Sequence, residues 1–139
     1  MSDIRYRRRG TAIIETERGI ILTAGHRGSF ILPGGGAERG ESRFVAAIRE
    51  LKEETGIETI KIAPGFRKKT TYFFTSFGET IAKTVSFYLA ETFDEKIKLS
   101  HEHSEFEWLP FNQAMERLSF ENTKNLLREA QKFLNQKNK

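Results

Sequence analysis

Pro33, Gly34, Gly35 and Gly36 run almost directly into a segment of helical period, and no other stretch restricts the fold so tightly. Glycines crowd residues 25–40, so a loop with unusual backbone needs is expected there rather than a regular element. From Glu41 onward apolar residues recur at Phe44, Ile48 and Leu51, spaced i, i+4 and i+7, and Gly56 stands where a left-handed cap belongs. The spacing predicts a helix over about Ser42 to Thr55, buried through Phe44, Ile48 and Leu51.

At about 100° per residue, Glu50, Glu53 and Glu54 project from one side of that helix, away from the apolar stripe. Like charges at i, i+3 and i, i+4 cost a few tenths of a kcal/mol per pair, and acids in the last turn oppose the helix dipole by a similar amount. A divalent cation reverses the sign of both effects, and clustered carboxylates with a nearby carbonyl form the ligand set of Mg²⁺ or Mn²⁺. The plain alternative is a solvated glutamate face neutralised by Arg49 and Lys52. The glycine turn ahead of the helix lets backbone approach a phosphate or metal closely, which favours a site.

Around this unit the chain reads as strands: Arg5 to Glu15 and Ile20 to Thr23 as a hairpin, then Ile57 to Phe66, Lys69 to Phe77, Thr80 to Ala90 and Phe106 to Leu109. Pro110 opens a short helix, and Asn122 to Asn135 is amphipathic. A length of 139 residues suits one domain over residues 1–139, with a polar tail at 135–139. The lack of cysteine excludes disulfides, thiolate metal sites and cysteine nucleophiles, so any metal must sit on oxygen or imidazole. No apolar run approaches the roughly 20 residues of a membrane helix, and the first residues lack the apolar core of a signal peptide, so a cytoplasmic chain without membrane partners is expected. A net charge of +4 permits anionic partners without choosing among them.

Read strictly, the central segment is Gly35, five residues, Glu41, seven residues, then Arg49, Glu50, Leu51, Lys52, Glu53, Glu54, Thr55, Gly56 and Ile57. This resembles the Nudix hydrolase signature at every defined position, over residues 35–57. The resemblance implies an α/β fold, the Nudix α/β/α sandwich with a mixed β-sheet, and hydrolysis of a phosphoanhydride in a nucleoside diphosphate-linked substrate with Mg²⁺ or Mn²⁺. It also implies Glu50, Glu53, Glu54 and the Gly34 carbonyl as metal ligands, Arg49 as the residue orienting Glu53, and Glu53 or Glu54 as general base, with Glu102 a third candidate.

Lys83, Thr84 and Val85, then Phe87 to Glu91, and later Leu99 to His103 with Trp108 and Leu109, resemble the asymmetrical dinucleoside tetraphosphate hydrolases within that family. The resemblance maps a further metal ligand onto Glu102, a phosphate contact onto Lys83 and adenine-stacking aromatics onto Phe87 and Phe120. Where that subgroup carries Pro-Lys-Gly this chain has Pro33, Gly34 and Gly35, so Arg27 or His26 is expected to supply the missing cation. A small nucleotide such as diadenosine tetraphosphate is the expected substrate. The alternatives are a nucleoside triphosphate pyrophosphatase, removal of pyrophosphate from an RNA 5′ end, and a nucleotide-binding regulator on the same scaffold.

Overall fold

The computed structural model describes residues 4–16, 18–25, 29–94, 96–100, 103–118 and 121–137, which form eight strands and three helices. The strands are β1 (Arg5–Thr16), β2 (Gly19–Gly25), β3 (Phe30–Ile31), β4 (Gly34–Gly36), β5 (Ile60–Ile62), β6 (Lys68–Ser76), β7 (Glu79–Thr92) and β8 (His103–Leu109). The helices are α1 (Arg43–Thr55), α2 (Phe111–Arg117) and α3 (Glu121–Lys137).

The long strands β1 and β7 run parallel from the Arg5–Ile81 pair to the Glu15–Glu91 pair. The other pairings among these strands are antiparallel: β6 and β5 on β7, β4 on β1, and β3 and β8 on β2, which also meets the end of β1. Strand alternation then sorts the core into two layers. Ala12, Ile14, Ile21 and Ala90 pack with Leu51 and Ile57 on the α1 side. Ile13, Leu22, Val85, Phe87 and Leu89 pack on the other side against Ala114 and Leu118 of the α2 region and Leu126, Leu127 and Ala130 of α3. Each fully buried aliphatic side chain contributes about 1.5–3 kcal/mol. The result is a mixed sheet between helices, the α/β/α sandwich that the sequence implies.

Three expectations are corrected. Gly34–Gly36 is not loop but strand β4, paired with Arg9, Gly10 and Thr11 of β1. The 57–66 stretch narrows to Ile60–Ile62, because Pro64 and Gly65, the latter at φ +91°, bend the chain before β6. The buried face of α1 is Ala46, Ala47, Leu51, Glu54 and Thr55, while Phe44 remains 38% exposed, edge-on to Tyr88 at 5.1 Å, and Ile48 is half-buried. Close docking explains this last change. A Cβ at Gly10 would overlap the Arg43 carbonyl oxygen and lie 2.8 Å from the Ala47 nitrogen, so helix and strand approach too nearly for a bulky stripe.

Candidate active site

Helix α1 is set by its ends. Ser42 caps it, its hydroxyl accepting from Val45 N at 3.1 Å, and Gly56 closes it in the left-handed region at φ +79° with its N–H donating to the Lys52 carbonyl. The last turn is anchored from outside as well: Lys98 N donates to the Thr55 carbonyl at 2.8 Å and Ser100 N to the Glu54 carbonyl at 3.3 Å.

The three glutamates occupy different surroundings rather than one common acidic face. Glu54 is only 7% exposed and its Oε2 accepts from Gly34 N at 3.2 Å, so the acid expected to point away from the buried side is part of it. Glu50 is half-buried against Gly35, where an added Cβ would run into its carboxyl group. Glu53 is exposed and meets Arg49 Nη1 at 3.3 and 3.4 Å.

Arg49 joins these parts. Its Nε and Nη2 grip the two oxygens of Glu41 at 2.8 and 2.9 Å, Nη2 also donates to the Gly36 carbonyl at 3.0 Å, and Nη1 donates to Glu50 Oε1 at 3.0 Å. The hydrogen bonds from Arg49, assisted by the Glu38 backbone, hold the Glu41 carboxyl down at about 2, and the same pairing raises the Arg49 guanidinium. Arg8 straps the loop from the neighbouring strand, donating to the carbonyls of Glu41 at 2.8 Å and Glu38 at 3.2 Å.

A cavity of about 580 Å³ opens on the α3 side of the sheet, lined among others by Arg9, Thr11, Leu32, Tyr72, Lys83 and Phe87, and Arg9 lies within the fields of Glu54 and Glu50. Lys83 lies half-buried in the middle of β7, its ammonium pKa lowered by burial and then by Arg9 and Arg7. Phe87 is 3% exposed and forms cavity wall and core together. Of the residues picked out from sequence, Gly34, Arg49, Glu50, Glu53 and Glu54 are brought together, and Lys83 and Phe87 share the cavity. Glu102, Arg27, His26 and Phe120 lie outside the described residues, although Ser100, two positions before Glu102, is tied to Glu54. Sequence reasoning passed over Arg9 and Tyr72 as lining residues. The signal was the shared alternation of β1, β6 and β7, visible only once their register is known.

The donor set is all oxygen and suits a hard divalent cation, with Gly35 leaving the backbone as near to the Glu50 carboxyl as it can come. Among the described residues, no three acidic or imidazole side chains converge in a ready-made cluster, because Arg49 and the Gly34 N–H each engage part of the set. Among the described residues no helix is long and apolar enough to cross a membrane.

The NUDIX domain model matches residues 5–130. The chain belongs to the Nudix family. Nudix hydrolases as a family generally use divalent metal. The bis(5′-nucleosyl)-tetraphosphatase [asymmetrical] of Rattus norvegicus is 37% identical over 106 residues, covering 73% of this chain and 69% of that protein. The Sus scrofa protein of the same name is also 37% identical over 106 residues, with the same coverage. A crystal structure of a C. elegans Ap4A hydrolase binary complex superposes with a TM-score of 0.78 at 26% identity, covering 92% of this chain and 97% of that one.

Proposed function

We propose that this Nudix hydrolase cleaves a phosphoanhydride of a dinucleoside polyphosphate such as diadenosine tetraphosphate, with Mg²⁺ or Mn²⁺ as cofactor. The observation that carries this reading is the placement of Glu50 and Glu54 against Gly34 and Gly35, with Arg9, within the fields of both acids, lining the same cavity as Lys83 and Phe87. The names of the rat and pig relatives support the choice of substrate.

Glu50, Glu53, Glu54 and the Gly34 carbonyl are the groups that would hold the cation. When bound, it supplies neutralisation of the polyphosphate charge and a more acidic water. The chain itself does the positioning. Arg49, fixed by Glu41, keeps the Glu53 and Glu50 carboxylates turned toward one nitrogen. Glu54, held by the Gly34 N–H and screened from solvent, takes the proton of the attacking water as its oxygen bonds to phosphorus. The phosphorus–oxygen bond of the anhydride breaks, and the products are a nucleoside monophosphate and a nucleoside triphosphate. Lys83 meets phosphate oxygens on the cavity wall, and Phe87 keeps that wall apolar so that the contacts act in a low dielectric.

One observation favours a second reading. A side chain at Gly34 would overlap the Gly10 carbonyl oxygen, so β4 cannot present a cation there, and the simpler Pro-Gly-Gly form also suits release of pyrophosphate from a nucleoside triphosphate. Chromatography of products from diadenosine tetraphosphate, nucleoside triphosphates and triphosphorylated RNA, with and without Mg²⁺, separates the readings. Monophosphate plus triphosphate from the dinucleotide supports the first. Monophosphate plus pyrophosphate from a triphosphate alone replaces it with the second. Inertness throughout refutes hydrolysis.

A further inference from the structure

We propose that Arg9 of β1 is a substrate-phosphate ligand, gripping the polyphosphate between the α1 carboxylates and Lys83. The inference rests on the hydrolase reading above and adds to it a residue that the signature does not contain.

Three strands place Arg9. Pairing with β4 sets it opposite Gly36, next to the Gly10–Gly35 pair and thus one strand spacing, about 4.8 Å, from the backbone that meets Glu50 and Glu54. Parallel pairing with β7 sets it opposite Val85, two residues from Lys83, and antiparallel pairing sets Tyr72 opposite Lys83. Arg9, Lys83, Val85 and Tyr72 therefore line the same cavity. Arg9 shares the cavity lining with Lys83 and lies within the fields of Glu54 and Glu50.

Its hydrogen bonding is incomplete for an arginine serving only the fold. Nε donates to Thr11 Oγ1 at 3.3 Å, and among the described residues its two terminal nitrogens have no hydrogen-bond partner. Among the described residues no carboxylate comes within ion-pair distance of Arg9 or of Lys83. Glu121, which also lines the cavity, is paired with Lys124 at 3.6 Å. Burial disfavours the charge on Arg9, and the fields of Glu54 and Glu50 partly restore it, so it is felt by the acids without being neutralised by contact. Two cations on one half-buried wall repel each other, and Arg9 is among the causes that lower Lys83. An anion bridging them removes that repulsion, and a phosphate offers the paired oxygens that two parallel guanidinium N–H groups match.

The test is calorimetric binding of a methylene-bridged, non-hydrolysable diadenosine tetraphosphate in EDTA, beside KM and kcat for the hydrolysable dinucleotide with Mg²⁺. Loss of charge-assisted hydrogen bonds predicts that Arg9→Met weakens metal-free binding roughly ten- to hundredfold and raises KM in step. Arg9→Lys keeps the charge but not the fork, and should recover part of the affinity. Arg5→Met removes the same charge from the exposed end of the same strand, where Arg5 pairs with Glu79 at 3.1 Å, and should leave binding within about twofold if contact rather than long-range field is responsible. Binding and KM of Arg9→Met within about twofold of wild type would overturn the proposal, as would an equal loss in Arg5→Met. If Arg9→Met does not fold, Arg9→Lys decides: affinity equal to wild type overturns the inference. A wild type inert on every substrate defeats the hydrolase reading, whereas an active wild type with an unaffected Arg9→Met defeats this inference alone.

Discussion

Arg49 holds Glu41 through two nitrogens on two oxygens, at 2.8 and 2.9 Å, and with its third nitrogen reaches Glu50 and Glu53. An acid eight residues earlier thus fixes the orientation of two acids on the helix. Glu41→Gln or Arg49→Lys should lower kcat roughly 10- to 100-fold, the usual effect of losing a partner that orients ligands. Steady-state kinetics with saturating Mg²⁺ checks this, with circular dichroism to confirm that the helix is retained.

The same pair sets an acid limit on stability. The Glu41 carboxyl titrates at about 2 in the fold against an ordinary 4.5, so its contribution is complete above 4.5 and is lost as pH falls through about 2. Urea midpoints followed from neutral pH down to about 2 should show wild type ahead of Glu41→Gln at the start and level with it at the end. A constant gap over that range would show that Glu41 stabilises nothing through its charge.

Glu54→Gln should reduce turnover roughly 10²- to 10⁴-fold, because the group assigned to take the proton is removed while its shape is kept. Glu53→Gln, at an exposed position, should cost less in turnover and more in the metal concentration needed for half-maximal rate. Equal and slight effects from both would refute the division of roles.

Two glycines separate folding from chemistry. Gly10→Ala drives a methyl group into backbone of α1, which cannot yield locally, and should destabilise the protein by about 1–3 kcal/mol in urea titration. Gly35→Ala meets the Glu50 side chain first, rather than backbone, so stability should change less while kcat falls sharply.

Helix α1 and its C-cap were legible in sequence because they depend on neighbours within a few residues: the helix fills Arg43–Thr55 of the expected span and Gly56 closes it where expected. What was not legible depends on contacts across the fold. Gly34–Gly36 reads as loop by propensity, yet pairs with β1 because this narrow backbone lies between that strand and the Glu50 and Glu54 side chains. Phe44 and Ile48 read as core by periodicity, yet where α1 approaches Gly10 the small Ala46 and Ala47 lie beneath the helix, with Leu51 buried further along. Arg9 stands beside Arg7 and Arg8 with no local signal to set it apart, and only the β1–β7 register brings it near Lys83 and the cavity.

The most direct test of the central claim is a Mn²⁺ titration followed by electron paramagnetic resonance, comparing wild type with Glu50→Gln, Glu53→Gln and Glu54→Gln. The account predicts saturable loss of the free-ion signal in wild type, weakened in each variant. Wild-type protein that leaves the free Mn²⁺ signal untouched, or variants that bind as wild type does, would contradict it.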